Sequence, residues 1–203
     1  MRALFIHVLC GLCCVNVASG DLRFQNLHQY PTGDRSTGIF AKDFDGDSDI
    51  DLAVANRVSN TVTVLYNNGD GQFIDSVQIA TGEHPRYVDG ADFDGDGDID
   101  LCTPDFYGMT TSIYENDGAG NFATSQQYKF YAPAYLWVDD LDNDGFHDIV
   151  TLHWNEEAKQ PGNSNGFFRP MFGNGDGPFE IGGKTIVGIQ PRGGASADLN
   201  GDG

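Results

Sequence analysis

An acidic decapeptide returns along this chain at a nearly fixed interval. It reads "DFDGDSDIDL" from Asp43, "DFDGDGDIDL" from Asp92 and "DLDNDGFHDI" from Asp140, and a fourth copy opens as "DLNGDG" at Asp198. The starts lie 49, 48 and 58 residues apart. Such a period means that one supersecondary unit is repeated, each copy burying its apolar faces by stacking on its neighbours. Two more motifs keep step. One reads "LYNNGDGQF" (65–73), "IYENDGAGNF" (113–122) and "MFGNGDGPF" (171–179). The other, "TGEHPRYVDGADFD" from Thr81, aligns with "TGDRSTGIFAKDFD" from Thr32, and its Pro85 and Arg86 return as Pro191 and Arg192.

Each repeat holds strand-like pieces, termed A to D in order. In the second repeat they cover residues 87–91, 99–103, 111–115 and 122–128. They are short, rich in β-branched and aromatic residues, and separated by Gly, Asn and Asp. No stretch carries a helical period with caps. The predicted fold class is therefore all-β, a β-propeller of four-stranded antiparallel blades. "FQNLHQYPTG" from Phe24 aligns with "FIDSVQIATG" from Phe73, which places a lone D strand ahead of the first repeat. The fourth loop is cut at Gly203. A closed ring takes about four to eight blades. The expectation is an N-terminal fragment, an incomplete fan of about three blades plus partial ones, over residues 21–203.

Residues 1–20 follow another pattern: a basic Arg2, an apolar run over 3–15, then small Ala18, Ser19 and Gly20. This is the layout of a cleaved signal peptide, and the run is short for a membrane span. It predicts a secreted protein, extracellular or periplasmic, whose mature chain is not inserted in a membrane. Cys10, Cys13 and Cys14 leave with the signal, so Cys102 remains as a buried small hydrophobe. Without disulfides, stability must come from a core or a bound metal.

The formal net charge is -19, from 30 Asp and Glu against 11 Lys and Arg. Nucleic acid is excluded as a partner, because phosphate binding needs clustered cations. Divalent cations are compatible. In the second loop, positions 1, 3, 5 and 9 are Asp92, Asp94, Asp96 and Asp100, and position 6 is Gly97. Alternating carboxylates around a turn can aim oxygens at one centre, and Ca²⁺ takes about six to eight oxygens. The cation would offset the repulsion among the carboxylates. An EF-hand does not explain the loop. It needs Glu at position 12, where Thr103 stands, and flanking helices, where strands are expected.

The loops, the "NNGDGQF" turns and the period together resemble the FG-GAP/VCBS repeat family, whose members include the integrin α-subunit propeller. The resemblance covers residues 22–203. It implies structural Ca²⁺ in about three complete A–B loops, with ligands at positions 1, 3, 5, 7 and 9. These are Asp43, Asp45, Asp47, Asp49 through its carbonyl, and Asp51; then Asp92, Asp94, Asp96, the Asp98 carbonyl and Asp100. The third set is Asp140, Asp142, Asp144, the Phe146 carbonyl and Asp148, and a fourth begins with Asp198, Asn200 and Asp202. The first loop departs from the pattern, with Ser48 in place of Gly97 and Gly145.

Antiparallel alternation puts the acid loops and Gly-rich turns on one rim. The B–C loops and D-to-A connections share the other. There the third repeat carries a longer segment, "HWNEEAKQPGNSNGFFRP" (153–170), with Trp154, Phe167, Phe168 and Arg169 as a candidate partner-binding loop. The alternative is that Trp154 ends strand B in the core. No nucleophile–base spacing, acid–base pair or P-loop is present. Two functions stand: a binding or adhesion module for an extracellular protein or glycan, or the propeller domain of a polysaccharide lyase or hydrolase.

Overall fold

The structure is a computed structural model that describes residues 5–7, 13–15, 28–154, 165–175 and 177–197. The chain divides into two units, residues 1–32 and 33–203. In the first, strands β1 (Phe5–His7) and β2 (Cys13–Val15) pair antiparallel. The expected D strand at Phe24 begins outside the described residues, as do most of residues 1–20 and the fourth acid loop, with Asp198, Asn200 and Asp202.

The second unit consists of antiparallel sheets, and no helix occurs among the described residues. The first sheet is a four-stranded meander of β3 (Ser36–Lys42), β4 (Asp51–Asn56), β5 (Thr61–Asn67) and β6 (Phe73–Ala80), in that order. The second holds β7 (Leu101–Asp105), β8 (Thr110–Asn116) and β9 (Phe122–Lys129). The third begins with β10 (Pro133–Asp139), β11 (Asp148–His153) and β12 (Asn165–Phe172). Its fourth place is shared by β13 (Glu180–Ile181) and β14 (Thr185–Ile189), both paired with β12. Pro170 of β12 lies between the two registers and has no N–H to give.

One expected strand differs. Residues 87–91 do not form a continuous strand A; they meet β7 through isolated bridges, Pro85 to Asp105 and Asp89 to Cys102. Pro85 lacks a donor. Gly90 lies so close to β7 that a Cβ there would sit 1.9 Å from the Asp100 carbonyl oxygen. The backbone still follows the expected path, with Cys102 N–H donating to Asp89 O at 2.8 Å.

Successive sheets stack face to face. Ala53, Ala55, Val62 and Val64 of the first pack against Leu101 and Tyr114 of the second. Their chain neighbours Cys102 and Ile113 point the other way, against Leu136, Ile149 and Met171 of the third. The middle sheet is thus covered on both faces, and β7 is buried at every residue. With no solvent face along β7, its residues need not alternate apolar and polar. Cys102 is free and buried, as expected.

Candidate metal centre

The acid loops connect A to B, and each adopts one hydrogen-bonded frame. In the second loop Asp92 Oδ1 accepts from Gly95 N (2.7 Å) and Asp92 Oδ2 from Gly97 N (3.0 Å). Asp94 accepts from Asp96 N and Asp96 from Asp98 N, a run of side-chain-capped turns. The first loop repeats the set from Asp43 to Asp49. The third repeats it except for one bond. Position 6 takes a left-handed backbone in all three: Ser48 at φ 75°, Gly97 at 97° and Gly145 at 93°.

Position 9 closes the frame. Asp51, Asp100 and Asp148 are fully buried. Each carboxylate joins position 2 of its loop to the end of strand C. Asp51 accepts from Phe44 N and Asn67 N, Asp100 from Phe93 N and Asn116 N, and Asp148 from Leu141 N and Gly173 N, at 2.8–3.0 Å. Burial pushes these carboxyls up, and the neighbouring loop carboxylates add to it. Asp100 reaches about 7, although its two amide donors pull the other way.

Carboxylate oxygens converge within 4.8 Å of one another in each loop: from Asp43, Asp45 and Asp51; from Asp92, Asp94 and Asp96; and from Asp140, Asp142 and Asp148. In the third loop Asn143 replaces the glycine of position 4, and Asp140 Oδ1 is buried with no donor among the described residues. A buried anionic oxygen without a partner is costly. A hard divalent cation at the convergence point would satisfy it and favour the ionised form of the buried carboxyls. The residues therefore fit a metal ion held by oxygens. The side chain of Asp144, and the carbonyls of Asp49, Asp98 and Phe146, are carried by the same loops.

The second motif has its own place in this rim. The C–D turns put Gly69, Gly118 and Gly175 against position 7 of the acid loop, at φ 71–80°. A Cβ there would meet Asp49, Asp98 or the Phe146 ring at 2.2–2.6 Å. The Phe that follows the second and third turns completes a lock the sequence did not reveal. Phe44, at position 2 of the first loop, meets Phe122 of the second sheet edge-on at 5.9 Å. Phe93, in the second loop, meets Phe179 of the next repeat at 5.5 Å. Asn116 Nδ2 also donates to Phe44 O at 2.8 Å. The cue was the "DFD" of the first two loops and the Phe that ends the turn of the repeat after each.

The opposite rim corrects the proposed partner loop. Phe167, Phe168 and Arg169 belong to β12, not to a loop. Phe167 is buried and stacks on His153 at 4.3 Å, because the end of strand B leaves a buried imidazole to cover. Residues 155–164 lie outside the described residues. Trp154 is half-buried, donates from Nε1 to Pro191 O at 2.8 Å and carries the Arg86 guanidinium over its ring.

Comparison with known proteins agrees with the repeats. Residues 43–103 match the profile of the FG-GAP-like repeat, so this span, which runs from the first acid loop through the second, is similar to that family. No curated protein matches the chain.

Proposed function

We propose that this chain is an exported, calcium-stabilised β-propeller module that binds an extracellular protein or glycan on the rim opposite its acid loops. The carrying observation is the recurrence of one loop frame in successive stacked sheets, each with converging carboxylate oxygens. The match to the FG-GAP-like repeat supports the propeller. Oxygen-only ligands, a turn at position 6 and partial exposure suit Ca²⁺ with Kd of about 10⁻⁴–10⁻³ M, a structural rather than signalling affinity. The ion holds the loop that carries Phe44 or Phe93 into the neighbouring sheet, so metal binding and sheet stacking are coupled. Export follows from residues 1–20, and N-terminal sequencing of the released protein tests it. The central test is thermal melting in calcium and in chelator, with elemental analysis. A lower melting temperature in chelator is expected. An unchanged melt with no metal present would sink the reading.

A further inference from the structure

Three arginines, Arg57, Arg86 and Arg192, line one pocket of about 250 Å³ on the rim away from the acid loops. Tyr87, Tyr135 and Trp154 line it with them. In a chain with only 11 Lys and Arg and a net charge of -19, this convergence is unexpected. Among the described residues no carboxylate pairs with any of the three. Arg57 Nε donates to His84 Nε2 at 2.9 Å, which uses one of its five N–H groups. Arg86 is half-buried, its guanidinium 4.6 Å from the Phe106 ring and 4.1 Å from the Trp154 ring. Burial and the charges of Arg57 and Arg192 lower its affinity for a proton. Like charges gathered without an acid destabilise the fold unless an anion joins them.

We infer that this pocket binds an acidic sugar, a hexuronate unit of a glycan, through its carboxylate on the guanidiniums and its ring against the aromatic side chains. Guanidinium matches carboxylate in a planar, two-bond geometry. The C–H groups of a sugar ring meet the negative faces of Tyr and Trp. The volume lies just under the about 300–1,000 Å³ of ordinary small-molecule sites, which suits one ring and its carboxylate. An acidic peptide would also meet an arginine cluster, but an acidic side chain brings no ring to cover the Tyr and Trp faces. The pocket draws on several sheets. Arg57 follows β4, Arg86 and Tyr87 precede β7, Tyr135 lies in β10, and Trp154 follows β11. It therefore exists only when the sheets stack, and the stack holds it ready.

The inference rests on the reading of this rim as the ligand face of a binding module. Its test is a titration of the calcium-loaded chain with glucuronate and galacturonate, against glucose, acetate and triaspartate at constant ionic strength. The fluorescence of the two tryptophans, Trp137 and Trp154, reports binding. A uronate is expected to saturate the signal where glucose and acetate do not. R57Q and the exposed R192Q are each expected to weaken uronate about ten- to a hundredfold without lowering the melting temperature. Absence of uronate binding, equal binding of acetate, tighter binding of triaspartate, or uronate binding untouched in both variants would overturn it. If calcium still raises the melting temperature in that case, the ligand inference alone fails. If calcium has no effect, the module reading fails with it.

Discussion

Position 6 of the acid loop shows how much one residue decides. Its backbone is left-handed in each of the three described copies, and of these only the first, Ser48 at φ 75°, has a Cβ to place there. Such a conformation costs a non-glycine residue about 1 kcal/mol. Ser48→Gly is expected to raise stability by about 0.5–1 kcal/mol in urea unfolding, with Ser48→Ala giving no gain. The last residue of strand B is equally telling. It is Asn56, Asp105 or His153, each fully buried. Asp105 accepts from the hydroxyls of Thr103, Thr110 and Ser112, while Asn56 donates to Thr61 and Thr63 at the matching places. Burial raises the Asp105 carboxyl to about 6 despite those donors. The folded form therefore holds its proton more tightly than the unfolded chain. The resulting stability is full below about pH 4 and is lost as pH rises to about 6. Asp105→Asn, which the first repeat already accommodates, removes that loss. The stability difference between variant and parent is expected to grow with pH across this window, by up to about 3 kcal/mol. A flat difference in unfolding curves at pH 4 to 7 would refute the assignment. The acid residues were legible from spacing alone, but these buried partners were not. Their roles depend on which hydroxyls the next strand brings alongside.

At the scale of elements, two motifs that look independent form one joint. The acid loop supplies Phe44 or Phe93, and the turn of the following sheet supplies Phe122 or Phe179. Phe93 is 6% exposed, so Phe93→Ala is expected to cost about 3–5 kcal/mol. Phe146, at 41% exposed, serves as the control, and its change to Ala is expected to cost under about 1 kcal/mol in the same unfolding assay. The strand pattern itself was readable, since β-branched runs between Gly and Asp turns predict hairpins. Three details were not. Strand A of the second repeat breaks because Pro85 and Gly90 meet β7. Strand D of the third splits around Pro170. Phe167 and Phe168, expected in a loop, lie in β12, where His153 gives Phe167 a ring to stack on. Each depends on a neighbour that is distant in the chain.

For the whole molecule, stability is expected to follow calcium. At about 10 mM Ca²⁺ and the Kd range above, linkage gives about 1.4–2.7 kcal/mol per site. Chelation removes it, and the melting temperature should fall accordingly, with Mg²⁺ a poor substitute because it demands a tighter octahedral shell. The sequence by itself determined the all-β class, the repeat, the antiparallel strands between Gly and Asp turns and the carboxylates of the acid loops. Those features rest on local spacing: alternation, turn residues and a fixed period. Tertiary structure alone decided which carboxyls are buried, how one loop docks on the next sheet, and that three arginines from separate repeats share a pocket with aromatic rings. Such features arise only when sheets stack, because stacking brings together residues far apart in the chain.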